Sequence, residues 1–296
     1  MKIRNSKIIR TMVILAPSFS LMSLSTLAPA LESISQAFPR LNDSMIQMLF
    51  TIPSLIGFPV ILLSGKLASS FSKKKIVLIS VSLMLIGGTM PGIIHNSYIE
   101  LVVASVIYGV GFGGISPMTT ALINEFCTDG HKETMMGIQS AVIGFGGVVF
   151  SIVGGNLAST KWYYSYFGFL LLIPVLALSL ALPESGRVES AGTANELLTP
   201  ELIYCLAFGL IFNCGIGTFQ TNISTLLQEN QLGDAGVAGT VNAIYALAGI
   251  TGGIITGVLM ARLRAYMMFF ITTVCMFGMI TVWLGNTMVM VVIGSV

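Results

Sequence analysis

Long apolar stretches separated by short polar breaks run the length of the chain. Apolar runs near 9–31, 44–64, 76–94, 99–124, 134–157 and 162–182 come first. The polar segment Pro183 to Pro200 follows, and then runs near 201–227, 237–260 and 266–284. Each approaches or exceeds the roughly 20 residues that a helix needs to cross a hydrocarbon layer of about 30 Å. A backbone in lipid must satisfy its own hydrogen bonds, so the expected fold is an all-α polytopic membrane protein built of helical bundles. The last apolar piece, 287–296, covers only about 15 Å as a helix, half a bilayer. It reads as a tenth span that is entered and cut short.

Composition supports this pattern: 54% of the 296 residues are hydrophobic and 9% charged, with a mean hydropathy of +0.90. An average soluble domain carries about 25% charged residues. The start, MKIRNSKIIR followed by an apolar run through Ala28-Pro29-Ala30, imitates a cleavable signal. Its apolar run is too long for one, and further spans follow, so a retained first helix is expected. Cys127, Cys205, Cys214 and Cys275 show no ligand-like spacing and read as small packing residues.

The placement of charge gives an orientation. With the N-terminus in the cytoplasm, Lys2, Arg4, Lys7, Arg10, Lys66, Lys73, Lys74, Lys75, Lys132, Arg187, Arg262 and Arg264 all fall inside, and only Arg40 and Lys161 fall outside. The location implied is a bacterial inner (cytoplasmic) membrane, with lipids as surroundings. No nucleic-acid patch is visible.

Displacing the chain by 192 residues sets Gly65 on Gly257, Gly57 on Gly249 and Asn42 on Asp234, which suggests a duplicated half. The expected organisation is an N-terminal six-helix bundle over 1–182 and a cytoplasmic linker over 183–200. A partial C-terminal bundle over 201–296 holds three spans and the start of a fourth.

Several motifs can be placed on this frame. The polar island Gly65 to Lys75, GKLASSFSKKK, is read as a cytoplasmic loop between spans two and three. Span four carries Tyr108, then Gly109-Val-Gly-Phe-Gly113-Gly114, then Pro117; span five carries Gly146, Gly154 and Gly155; span six closes on Leu182-Pro183-Glu184. Small residues at such spacing let helix backbones approach closely in lipid, so Gly109, Gly113, Gly146, Gly154 and Gly155 are expected to serve helix packing.

In order and topology these motifs resemble those of the major facilitator superfamily. Gly65, Leu67, Ala68, Lys73, Lys74 and Lys75 match its signature loop, while Ser69, Ser70 and Ser72 stand where Asp, Arg and Gly are usual. In span four Ser105 replaces a usual arginine, and in span five Phe150 and Ser151 replace a usual Gly-Pro pair. The resemblance implies two six-helix bundles, alternating access to a central cavity, and a gating role for the loop. With Ser69 and Ser70 in place of charges, the loop's latch is expected to be weak; Lys73 to Lys75 belong to this gating loop or, in the alternative reading, only enforce topology. The implied partners are a small-molecule substrate and a coupling proton or cation.

Polar residues at membrane depth are the candidate substrate contacts. In span seven Asn213, Gly217, Gln220 and Ser224 fall on one helical stripe with Asn222 beside it; Asn242 and Tyr245 share a face of span eight; Tyr108 and Gln139 come from spans four and five. An amide facing lipid is costly, so these groups meet solute or other helices. No acidic residue, Lys, Arg or His lies deep in a span, and Glu32 and Glu125 are the nearest candidates for coupling. An uncharged cavity suits a neutral or amphipathic solute, drug-like or sugar- or metabolite-like.

Enzyme chemistry is not expected. No buried nucleophile with a base, paired aspartates, GxxxxGK[ST] phosphate loop or metal-ligand set is present, and no cofactor is implied. Besides a secondary transporter, two readings stay open: a ten-helix drug/metabolite-type carrier and a truncated, non-transporting membrane remnant.

Overall fold

The computed structural model describes residues 2–127, 132–183, 217, 221–228, 233–263, 273–274, 276–278 and 280–281. These are helical apart from short links, and there is no strand among them. In chain order come α1 (Lys2–Phe19), two 3₁₀ turns (Ser20–Thr26 and Ala28–Ala30), α2 (Leu31–Ala37), α3 (Asp43–Ser70), α4 (Lys73–Ile93) and α5 (Tyr98–Phe126). Next are α6 (Lys132–Ala158), a 3₁₀ segment (Trp162–Leu171) running into α7 (Leu172–Leu180), and α8 (Ala235–Leu263). Six described helices are long and apolar enough to span a bilayer, the first being the composite Arg10–Ala37.

Local chemistry explains the breaks. Ser97 and Glu100 form a capping box at the start of α5: Ser97 Oγ accepts from Ile99 N at 3.3 Å, and Glu100 Oε2 accepts from Ser97 N at 3.0 Å. The first span leaves the α-helix at Ser20. Ser20 Oγ donates to Pro17 O at 2.6 Å and Ser23 Oγ to Ser20 O at 2.7 Å. Serine hydroxyls that take up nearby carbonyls compete with the helical ladder, and Pro17 and Pro29 lack the N–H to restore it.

The island from Gly65 to Lys75 is not the loop expected from sequence. Gly65, Leu67 and Ala68 belong to the last turns of α3, and Lys73, Lys74 and Lys75 form the first turn of α4, so Phe71 and Ser72 alone link the two helices. The helix persists because its apolar face persists. Ala68 is buried in the core, and Phe71 N–H closes the ladder on Leu67 O at 2.7 Å. Ser69 lies in α3, but its side chain falls outside the described set.

Packing among α3, α4 and α5 depends on close backbone approach. A Cβ on Gly109 would lie 2.7 Å from the Pro53 carbonyl oxygen of α3, and one on Gly111 would lie 2.5 Å from the Ser80 carbonyl oxygen of α4. In lipid, helices gain from dispersion contacts rather than from hydrophobic transfer, so this proximity is what holds the bundle. Met84, Leu101, Ile115, Leu122, Phe150 and Leu172, all fully buried, fill the space between helices. Large apolar side chains face outward on α3, with Leu55 72% exposed, which suits a hydrocarbon surround.

Helices α3 and α8 start at Asp43 and Ala235, and 235 − 43 = 192, the offset read from the sequence. The residues that open them, Asn42 and Asp234, share the same offset. Met45 N–H donates to Asn42 O at 2.8 Å, and Val237 N–H to Asp234 Oδ1 at 3.1 Å. The end of the bundle with Arg10, Lys73 and Phe126 is the near end below; the end with Phe38, Lys161 and Asp234 is the far end.

Candidate functional site

A cavity of about 200 Å³ lies where the first span, α6 and α8 meet. Met22 and Ser25 come from the 3₁₀ turn, Ser140, Ile143, Gly144, Gly147 and Ser151 from α6, and Asn242, Tyr245, Ala246, Gly249 and Ile250 from α8. On α6 the positions 140, 144, 147 and 151 form a single helical stripe of serine and glycine, and on α8 Asn242, Ala246 and Gly249 form another. Toward the far end the two stripes close on each other: a Cβ on Gly155 would lie 2.7 Å from Ala235 O and 2.8 Å from Gly239 Cα. Nearer the middle of the helices a Cβ on Gly147 would still meet Ala246 Cβ at 3.2 Å, and the cavity lies along this contact.

Among the described residues the walls are hydrocarbon with a few hydroxyls and one amide, and none of the lining side chains is charged. Asn242 is 3% exposed; its Nδ2 donates to Ala238 O at 3.2 Å, which leaves its carbonyl oxygen as an acceptor at the wall. Such a site can orient a small solute by hydrogen bonds and apolar contact. It offers no group to neutralise a full ionic charge.

The sequence candidates separate into three groups. Asn242 and Tyr245 both line this cavity. Three others bond between helices instead. Tyr108 and Ser23 share a buried hydroxyl–hydroxyl hydrogen bond of 2.7 Å, Gln139 Nε2 donates to Ser18 Oγ at 3.2 Å, and Gln47 Nε2 donates to Asn222 Oδ1 at 2.9 Å. Asn213 and Gln220 lie outside the described residues. Of the span-seven stripe, Ser224 is buried and its Oγ donates to Pro29 O at 2.8 Å.

The serines of the first span were missed as functional residues. Ser18, Ser20, Ser23, Ser25 and Thr26 are all buried, the first three hold the 3₁₀ turn and its neighbours, and Ser25 reaches the cavity. Their signal was present as SFSLMSLST, five hydroxyls in nine residues, within a run that read as simply apolar.

Among the packing glycines, Gly146 and Gly154 of α6 face the first span: a Cβ would meet the carbonyl of Phe19 or of Thr26. Gly113 packs on Gly57 and Val60 of α3, and Gly155 on α8. In the α3–α4 junction, Lys73 Nζ donates to Glu125 Oε2 at 2.6 Å with 10% and 24% of the two side chains exposed. Lys73 is therefore more than a topology marker, since it ties α4 to the end of α5. Lys75 is exposed and Lys74 half-buried.

A second hollow, about 700 Å³, opens between α1, α6 and α7. Apart from Thr11 its walls are apolar, from Met12, Leu15 and Phe19 to Ile138, Val142 and Leu178, so it lacks the convergent polar groups that orient a solute.

The profile of the Major Facilitator Superfamily matches residues 13–296. The chain belongs to this superfamily. It is 26% identical over 256 residues to the 3-(3-hydroxy-phenyl)propionate transporter of Escherichia coli (strain K12), an alignment that covers 82% of this chain and 62% of that protein. It thus spans less than two thirds of that relative's length. The crystal structure of the nucleoside transporter NupG superposes with a TM-score of 0.71 at 13% identity, covering 97% of this chain and 78% of that one. A bacterial homolog of the human lysosomal transporter Spinster, inward-facing and occupied, gives 0.70 at 17% identity, covering 97% and 70%. At these identities the structures establish the fold: a multi-pass membrane protein of the superfamily's helical type.

Proposed function

We propose that the chain acts in secondary active transport, moving a small neutral or amphipathic solute across the cytoplasmic membrane by alternating access. The observation that carries this reading is the uncharged cavity walled by α6 on one side of the 183–200 segment and α8 on the other. A site shared by two bundles changes its exposure when they rock against each other, which is the basis of alternating access in repeat-built transporters. In this reading residues 1–182 form one bundle, 183–200 the cytoplasmic linker and 201–296 part of the second bundle. The near end, with Arg10, Lys66 and Lys73 to Lys75, faces the cytoplasm by the positive-inside rule.

Asn242 and Tyr245 are assigned to the solute, with Ser25, Ser140 and Ser151 as further hydroxyl contacts. Tyr108, Gln139 and Asn222 position helices around the cavity. Asn213 and Gln220, which the sequence spacing puts on one stripe with Ser224, remain proposed solute contacts. Among the described residues the cavity holds no carboxylate or imidazole, so a coupling proton or cation would be held outside it, with Glu32 and Glu125 as the candidate acids.

Reconstitution of the chain in proteoliposomes, with a panel of radiolabelled neutral, amphipathic and anionic solutes, tests the proposal. Flux of a neutral or amphipathic solute that falls in Asn242→Leu is expected. Strict selectivity for a dianion would remove the cavity assignment, and normal insertion with no flux of any solute would favour a non-transporting remnant.

A further inference from the structure

Toward the far end of the bundle, three hydrogen bonds join residues 29–47 to residues 222–228. Gln36 Nε2 donates to Gln228 Oε1 at 3.0 Å, Gln47 Nε2 to Asn222 Oδ1 at 2.9 Å, and Ser224 Oγ to Pro29 O at 2.8 Å. All three use amides, hydroxyls or carbonyls, without an ion pair.

The first of these pairs has a special place. Gln36 and Gln228 are 192 residues apart, the separation that also relates α3 to α8 and Asn42 to Asp234. In an assembly related by a two-fold axis, a residue meets its own copy only on the axis; elsewhere residue i meets the copy of j while j meets the copy of i. The Gln47–Asn222 contact obeys the second rule. Its counterparts, 239 and 30, lie in α8 and in the 3₁₀ turn Ala28–Ala30, which pack together.

We propose that Gln36 and Gln228 mark the internal two-fold axis and form the latch that holds the far mouth of the cavity shut. A latch on the axis is released by rotation of either half, because both copies withdraw from it equally. An amide pair suits this position. Each glutamine can donate or accept, so neither half must supply a particular charge, and an exposed amide–amide bond is weak enough to be broken once per cycle. Gln36 Nε2 also lies 3.3 Å from Glu32 Oε1, which holds the amide at the end of α2.

The latch rests on the alternating-access reading, but its test needs no transported solute. In the full 296-residue chain with its four cysteines replaced, Ser140→Cys places a thiol in the cavity wall. A membrane-impermeant maleimide is added to the face opposite the N-terminus. Gln36→Leu is expected to raise the labelling rate about two- to tenfold, the range set by one lost hydrogen bond. Gln36→Glu combined with Gln228→Lys, an ion pair in the same place, is expected to return it to the slow rate. Separately, Gln36→Cys with Gln228→Cys should be joined by a short bismaleimide that replaces the reach of the two glutamine side chains, which is longer than a disulfide spans. An unchanged labelling rate, an equal rise from both faces, or no cross-link would overturn the latch. Solute flux that is absent while labelling responds as expected would remove the transport reading and leave the latch standing.

Discussion

Removing one partner of the Lys73–Glu125 pair should destabilise the near end of the bundle more than removing Lys74 or Lys75. The pair is 2.6 Å apart, and its two side chains are 10% and 24% exposed, so it lies between a surface ion pair and a buried one. Exposed pairs contribute about 0.2–1 kcal/mol, whereas hydrogen bonds to a charged group contribute about 1.5–3 kcal/mol. For a pair this short and mostly shielded the coupling should be about 1.5 kcal/mol, a little over tenfold in an equilibrium constant. The assay is a double-mutant cycle in detergent, with thermal unfolding of wild type, Lys73→Gln, Glu125→Gln and the double variant. Each single substitution removes the short Lys73–Glu125 contact from the charge that stays, so the double variant should be more stable than the sum of the singles predicts. Lys74→Gln and Lys75→Gln remove the same charge from the same turn and serve as controls for the topological effect. Additive losses in the cycle, or equal losses at all three lysines, would refute the argument that Lys73 fastens α4 to α5.

Other consequences can be measured in the same background. Gly155→Val puts a side chain where Ala235 O and Gly239 Cα leave less than 3 Å, so α6 and α8 must separate; cysteine cross-linking between these helices at the far end should drop sharply, and unchanged cross-linking would count against the close approach. Tyr108→Phe removes the buried bond to Ser23, whose own proton stays on Ser20 O, which should cost about 1 kcal/mol in unfolding free energy while leaving solute selectivity unaltered; altered selectivity would place Tyr108 in the solute path instead. Ser69→Ala should have little effect on transport, and a severe loss would show that this serine holds part of a gate.

Helices were legible in the sequence because the bilayer imposes one requirement, a long apolar run, and that requirement leaves few alternatives for the backbone. The extent of α3 and α4 was not. Gly65 to Lys75 is polar enough to end a hydrophobic run, yet Ala68 and Ile76 keep an inward face on either side of it, so the helices extend beyond the apolar stretch to a two-residue link. The candidate site was legible only in part for a related reason. A polar side chain at membrane depth must find a partner, but the sequence does not say whether that partner is a solute or another helix. Asn242 and Tyr245 reach the cavity, while Tyr108 and Gln139, no less polar, spend their hydrogen bonds on Ser23 and Ser18. Those partners lie in a run whose serines, small and intermittent, barely lower its hydropathy. The 192-residue offset was detectable from glycines and helix-opening residues, whereas the meeting of Gln36 with Gln228 required the helices to be placed in space.

The central claim is that the cavity between α6 and α8 is the path of the solute. Gly249 lines it, and a Cβ there has nothing within 4 Å, so Gly249→Cys is accommodated in a cysteine-free chain. Labelling of this thiol by a hydrophilic maleimide, with and without the transported solute, tests the claim directly. Ile138→Cys, in the apolar hollow beside α1 and α7, is the control. The cavity assignment predicts that saturating solute slows labelling at position 249 and not at 138. Equal labelling at 249 with and without solute, or protection at 138 instead, would contradict it.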